Sequence, residues 1–289
     1  MSTPERSVIN TNLNMISFDI EGLVESSHDI MQIPEKYLCK DQEAMQIEKN
    51  THSILEFLAE RNQKATFFVL GRLSRDMPQL VRDIADAGHE IACHSFYHRR
   101  LFTLGDSEVR AFVGDAKHSL EDVSGKAVYG FRAPDFSIVS RNRWVFDALR
   151  EAGYVYDSSV YPTGVHDVYG ISGFSRTPCR LANGLIEVPM SVIALFSQQI
   201  PFGGGGYLRL YPRLATECFF RRLNRRGIPG MIYLHPYEVG DLATYIAEMS
   251  LVRKIRTYQG RRSVKKKLAA LIDAFHFVPI KEYLDTSYV

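Results

Sequence analysis

His94 and His98 stand four residues apart. On a helical turn both imidazoles face the same way, with room for one metal ion between them. Two imidazoles, one carboxylate and an open position for water make a common catalytic site for a zinc-type cation. The carboxylate must come from elsewhere in the chain, and Asp19 and Glu21 are available. The bland alternative is a pair of surface histidines on a polar turn. His235, Arg132 and Asp157 each follow a short apolar run. A buried arginine needs an acidic partner, and Asp19 is the natural one for Arg132; otherwise Arg132 lies on the surface. Asp157 either caps a turn through Ser158 and Ser159 or, in a shared cavity, holds a histidine ring. His52 and His89 read as structural, His89 bonding loop backbone. His28, His118, His166 and His276 carry no partner signal.

The elements that must position these groups alternate. Strands are expected at 14–20, 65–70, 90–93, 127–131, 155–157, 185–188, 230–234 and 277–280. Helical periodicity falls at 43–61, 77–87, 106–123, 141–152, 211–226 and 264–275. Strand–helix alternation predicts parallel β/α units. The expected fold is α/β, a distorted (β/α) barrel of seven or eight units forming one domain over 1–289, with an open doubly wound sheet as runner-up. A barrel places functional residues at the carboxyl ends of its strands. Asp19 and Glu21, His94 and His98, Arg132, Asp157, and His235 all fall there. The glycines at 203–206 follow no clear strand and precede no clear helix; they read as a flexible loop or as a lid that contacts substrate.

Composition narrows the function classes. The chain has 289 residues, 45% hydrophobic and 24% charged, the mix of a globular protein. Its 17 Phe and 15 Tyr demand a large core and exclude disorder as the main state. A net charge of +2 excludes a general polyanion binder, and no nucleic-acid partner is expected. No apolar run approaches the ~20 residues of a membrane span. The first 14 residues are polar, so the chain reads as cytoplasmic. Cys39, Cys93, Cys179 and Cys218 lack paired spacing and read as free thiols. The stretch 253–267 holds eight basic residues and no acid. It is a solvated face, or it contacts an anionic membrane or a lipid-linked diphosphate sugar.

Taken in order, these residues resemble the motifs of the polysaccharide deacetylases (NodB homology, carbohydrate esterase family 4). The motifs are Ser17-Phe-Asp-Ile-Glu21, His94-Ser-Phe-Tyr-His98, Arg132-Ala-Pro-Asp-Phe136, Tyr156-Asp-Ser-Ser159 followed by Tyr161-Pro162, and Leu234-His235-Pro236. The stretch Ala65-Thr-Phe-Phe-Val-Leu-Gly71 is also family-like. The likeness is to the signal-less branch linked to exopolysaccharide loci, where a Gly-Gly-Gly-Tyr stretch like that at 204–207 occurs.

The resemblance implies hydrolysis of an N-acetyl or other N-acyl group on an amino sugar of a glycan or its precursor. Asp19 matches the catalytic base, His235 the general acid, and Arg132 the partner of the base. Asp157 matches the carboxylate that orients the acid, and His94 and His98 the metal-binding histidines. Phe136 sits where a backbone N–H helps hold the oxyanion, and Tyr161, Gly205 and Tyr207 fall where substrate binds. Many members have adjacent aspartates in the first motif, but here the second position is Ile20. Side chains two apart on a strand share a face, so Glu21 becomes the expected third ligand beside Asp19. Asp19 in that role is the alternative. Gly22 removes a further acid that the nearest branch often carries. The implied cofactor is one divalent ion, Zn2+ first, with Co2+, Ni2+ or Fe2+ suited by the same ligands. The implied substrate is an amino-sugar glycan, a nucleotide sugar or a lipid-linked saccharide. Two competing readings are a metal-independent amide hydrolase on the same scaffold and a non-catalytic sugar-binding protein.

Overall fold

A computed structural model describes residues 13–26, 33, 37, 39–164, 169–196, 198–242 and 245–287. His28 and His166 lie outside the described residues. The first half runs β1 (Leu13–Ile20), α1 (Lys40–Ala59), β2 (Thr66–Val69), α2 (Leu73–Asp76), α3 (Pro78–Asp86), β3 (Glu90–Cys93), α4 (Asp106–Ser124), β4 (Gly130–Phe131), α5 (Val145–Glu151) and β5 (Tyr156–Asp157). The second half runs β6 (Cys179–Arg180), β7 (Ile186–Glu187), β8 (Val192–Leu195), β9 (Gln198–Pro201), α6 (Gly205–Leu210), α7 (Arg213–Asn224), β10 (Met231–Leu234), α8 (Pro236–Val239), α9 (Leu251–Tyr258), α10 (Val264–Ala274), β11 (His276–Val278) and α11 (Ile280–Ser287).

One sheet organises the chain, in the order β10-β1-β2-β3-β4-β5-β7-β6, with β11 also on β1. Every pairing in it is parallel except β6 with β7. The expected strands and helices are all present, with ends moved by a few residues. All eight residues of β1 are buried, as its central place between β10 and β2 requires. Alternate residues serve different spaces. Ile16, Phe18 and Ile20 pack with the helices around the sheet, whereas Asp19 faces inward with Ser17 beside the Arg132 guanidinium. Helix α4 stops where Gly125 enters the left-handed region at φ 63°, and α3 where Gly88 does so at 75°.

The sheet curls but does not close by strand pairing between β7 and β10. The glycines at 203–206 close that seam, which corrects the expected loop or lid. Strand β9 precedes them, and they open α6. Tyr233 donates its N–H to the Gly203 carbonyl at 3.0 Å, and Gly204 bridges Tyr233 in parallel. The Met231 N–H donates to Ser191 Oγ at 2.6 Å. A Cβ on Gly203 would lie 2.1 Å from the Met231 carbonyl oxygen. The glycines are therefore there for close backbone approach, not mobility. The unforeseen β8–β9 hairpin leaves the barrel just before this seam.

Two stability predictions follow. Gly203→Ala must push backbone apart and should cost about 2 kcal/mol, read as a lower urea midpoint; an unchanged midpoint removes the seam argument. His89 is buried and accepts a hydrogen bond from the Ala65 N–H through Nδ1 at 3.3 Å, as expected. Burial, with the Lys64 charge second, pushes its pKa from 6.5 down to about 4. A depressed imidazole keeps its full contribution above pH 6.5 and loses it as pH falls toward 4. Urea midpoints should fall across that window, by at most about 3 kcal/mol from this group, and less steeply in His89→Gln. Parallel slopes in the two proteins would exclude His89 as a source.

Candidate metal and acid–base centre

β1 carries Asp19 on its last turn of pleat, and Glu21 follows one residue beyond the strand. Both line a cavity of about 170 Å³ with His94, Ala133, Asp135, Phe136, Tyr233 and His235 among its walls. The same-face expectation for residues two apart holds, and Ile20 is fully buried in the outer core. Glu21 Oε2 lies 3.0 Å from His94 Nε2 and 2.9 Å from His98 Nε2. His235 Nε2 lies 3.3 Å from Glu21 Oε1. Groups from three distant parts of the chain thus meet at one carboxylate.

These atoms suit a divalent cation. One donor each from Glu21, His94 and His98 can be chosen within 4.8 Å of one another, and they form the one such group among the described residues. His94 Nδ1 lies 2.8 Å from the Arg132 carbonyl oxygen. When Nδ1 donates there, Nε2 keeps its lone pair for the ion. Burial disfavours the His98 cation, but the Glu21 charge outweighs it and raises the pKa from 6.5 to about 10. Burial would raise the Glu21 carboxyl, yet the His98 charge and the two histidine hydrogen bonds hold it well below the carboxylate range.

Asp19 belongs to a different partner. Arg132 Nη1 donates to Asp19 Oδ1 at 2.6 Å and to Ser17 Oγ at 2.9 Å. Its Nε donates to the Ser158 carbonyl at 3.1 Å, and its guanidinium carbon lies 3.9 Å from the Phe68 ring centre. Arg132 and Asp19 are both buried, so the paired reading holds over the surface one.

Two expectations are corrected. His235 Nδ1 is not held by Asp157. It lies 2.8 Å from Glu238 Oε2, one helical turn ahead on α8. Glu238 also pairs with Arg209 Nε at 3.2 Å, and Gly205 packs so closely that a Cβ there would sit 1.8 Å from its Oε2. Burial disfavours the charged His235 ring, but Glu238's charge and hydrogen bond lift its pKa from 6.5 to about 9. Asp157 instead accepts from the Ser159 hydroxyl at 2.6 Å, and Ser159 Oγ accepts from the Ala133 N–H at 2.8 Å. It also faces Glu187 across β5 and β7. Burial and the Asp157 charge push Glu187 well above the carboxylate range. Asp157 therefore braces the chain at Ala133, nearer the turn-capping reading.

The second correction concerns Phe136. Its N–H donates to the Ala133 carbonyl at 3.0 Å, so it is already engaged; its ring forms a cavity wall. Tyr161 is fully buried, with its ring centre 5.0 Å from that of Phe136. Gly205 lies behind the cavity against Glu238, and Tyr207 stacks on Tyr211 at 6.0 Å; neither is among the lining residues. Sequence reasoning missed Glu238, Arg209, Asp135, Tyr169, Tyr233 and Tyr237. A signal existed for Glu238, since His235-Pro-Tyr-Glu238 places an acid three residues after a histidine at a helix start.

Divalent ion added to chelator-treated protein should raise the Tm by an increment that grows with ion concentration. Glu21→Gln should abolish the increment, while Asp19→Asn should keep it. The reverse pattern would make Asp19 the carboxylate ligand.

Residues 34–156 match the family model described as polysaccharide deacetylase, and residues 158–285 match a domain of unknown function, DUF3473. A chitooligosaccharide deacetylase of Sinorhizobium fredii is 38% identical over 29% of this chain and 40% of its own length. A peptidoglycan-N-acetylmuramic acid deacetylase of Bacillus subtilis is 28% identical over 36% of this chain and 39% of its own length. The chain thus spans under half the length of these relatives. Among solved structures, a protein of Mycobacterium smegmatis assigned to the polysaccharide deacetylases aligns at TM-score 0.65 and 21% identity, covering 100% of this chain and 93% of that one. Puue allantoinase aligns at TM-score 0.61 and 14% identity, covering 99% and 97%. These two likenesses speak to the fold, a curled parallel α/β sheet of the deacetylase type. The family match and the relatives named as deacetylases place a polysaccharide deacetylase domain of the NodB, carbohydrate esterase family 4 type at residues 34–156.

Proposed function

We propose that this domain hydrolyses an N-acyl group, N-acetyl first, from an amino sugar in a glycan or glycan precursor. One observation carries the reading: Asp19 and His235 line the same cavity as the cation donors Glu21 and His94. A binding protein has no need of a proton acceptor and a proton donor across one pocket. The relatives named as chitooligosaccharide and peptidoglycan deacetylases support the substrate class.

Glu21, His94 and His98 would hold the divalent ion, with zinc preferred for two imidazoles and a carboxylate, and cobalt, nickel or iron accommodated. Bound there, it would polarise the amide carbonyl and acidify water. Asp19 accepts the proton as water attacks; the Arg132 guanidinium, 2.6 Å away, aims its carboxylate. An amine leaves poorly until protonated, and His235 supplies that proton from Nε2. Glu238, on Nδ1, fixes the ring so that Nε2 faces the cavity. The rings of Phe136, Tyr169 and Tyr233 offer apolar walls to a sugar face. If the protein is cytoplasmic, the substrate is a precursor such as a nucleotide sugar, a lipid-linked saccharide or a nascent chain.

Asp19→Asn and His235→Ala should each lower turnover of an acetylated amino-sugar oligomer roughly 10²-fold or more, followed as acetate release. Glu238→Gln should lower kcat by roughly tenfold with KM little changed, and Glu238→Asp should restore part of it. Full turnover in Asp19→Asn would remove the base assignment. Asp157→Asn should register mainly in stability. Exhaustive chelation should abolish activity, with recovery on adding zinc; activity that survives chelation would transfer the domain to metal-independent amide hydrolysis.

A further inference from the structure

Helix α9 turns an apolar ridge outward. Leu251 is 73% exposed, Val252 66% and Ile255 44%, and Tyr245 just before the helix is 61% exposed. Positions 251, 252 and 255 share one helical face. A surface helix of a globular protein normally buries such a face. Here a different side does the packing: Ile246 and Met249, just ahead of the helix, cluster with Val24 and Ile33, and Tyr37 and Tyr258 pack against them.

The stretch that carries the ridge is basic. No acid occurs between Glu248 and Asp273. Three cations of this stretch are used in holding the fold. Arg261 donates to the Tyr237 and Gly240 carbonyls, Lys265 to Ser53, and Lys267 to the carbonyls of Leu208, Arg209 and Tyr211. Arg262 and Lys266 are exposed, and Lys254 Nζ sits 5.6 Å from the centre of the Tyr245 ring. The solvated part of the charge run is therefore smaller than the sequence suggests; Lys254, on α9 itself, is the cation shown against the exposed Tyr245 ring.

This surface adjoins the cavity. Val24, which the α9 region covers, belongs to the same helical turn as Ser26, a lining residue. Arg261 grips the carbonyl of Tyr237, another lining residue.

We propose that α9 docks on an anionic lipid bilayer, with Leu251, Val252 and Ile255 at the headgroup–acyl boundary and the cations of this stretch on lipid phosphates. The docked cavity would then face an amino sugar carried on a lipid, a clause that rests on the function proposed above. The chemistry selects the occupant. A second copy would bring basic stretch against basic stretch. A soluble polyanion would satisfy the cations and leave the ridge wet, whereas an apolar ridge on a basic stretch matches both layers of a membrane surface. No helix among the described residues is long and apolar enough to cross a membrane, so the contact is peripheral.

The test is sedimentation of the full chain with phosphatidylcholine vesicles, with and without phosphatidylglycerol. Binding should require phosphatidylglycerol and weaken with salt. Replacing Leu251, Val252 and Ile255 together by Ser should weaken it roughly tenfold or more. Lys254→Glu should weaken it roughly fivefold or more. All variants should keep the wild-type Tm and wild-type turnover of a soluble acetylated oligomer. No binding, or binding unaffected by the serine substitutions, overturns the proposal. So does equal affinity of the wild-type and serine proteins for dextran sulfate when vesicles compete poorly. Vesicle binding by a protein that releases no acetate upholds the docking surface and overturns the catalytic reading alone.

Discussion

Arg132 is the constraint on which the site depends. A guanidinium with no exposed surface is tolerable only when its donors are satisfied and its charge is met. Asp19 meets the charge from β1, Ser17 takes a donor from the same strand, and Ser158 takes donors just past β5. The Phe68 ring of β2 closes one face. The Arg132 backbone carbonyl meets the His94 ring, which lies just past β3. One residue at the end of β4 therefore sets β1, β2, β3 and β5 relative to one another. The cost of leaving that charge unpaired fixes the separation between Asp19 and the Glu21–His94–His98 group.

The arrangement divides two carboxylates that are two residues apart. Asp19 is drawn to Arg132 on one side and Glu21 to the histidines on the other. Strand pleat puts both in the cavity, but the partners differ, and so do the tasks available to them. One strand end thus presents two carboxylates to two different sets of partners. The longer Glu21 side chain reaches the imidazoles from a position already off the strand. Ile20 between them stays in the apolar layer, where a second aspartate would be buried without a partner.

Much of this was legible in the chain. The parallel units announced themselves through apolar runs alternating with helical periodicity, and strand-end placement pointed to Asp19, Glu21, His94, His98 and His235 together. The partner of Arg132 could be named because a buried charge has few solutions. What was not legible depended on approach between backbones. The glycines at 203–206 look like a mobile loop in one dimension. Their reason is the Met231 carbonyl and the Tyr233 ring, which become neighbours only after the sheet curls. The β8–β9 hairpin and α6 were missed with them, since neither carries a long periodic signal.

The misplaced role of Asp157 shows the same limit in the chemistry. The expected holder of His235, Asp157, lies on a distant strand end; the actual one, Glu238, lies a single helical turn away. Both are buried, so burial does not choose between them. Hydrogen-bond supply does. Asp157 has a hydroxyl and an N–H from Ser159 and sits beside Glu187, where one proton can serve both carboxyls. It has little need of an imidazolium. Glu238 has Arg209 on one oxygen and the His235 ring and N–H on the other. A glutamate held by a cation at its back presents a fixed acceptor to the ring, and Gly205 leaves it the space to do so. The orientation of the His235 ring thus comes from its own helix start and from the glycine seam, which joins the closure of the sheet to the geometry of the cavity.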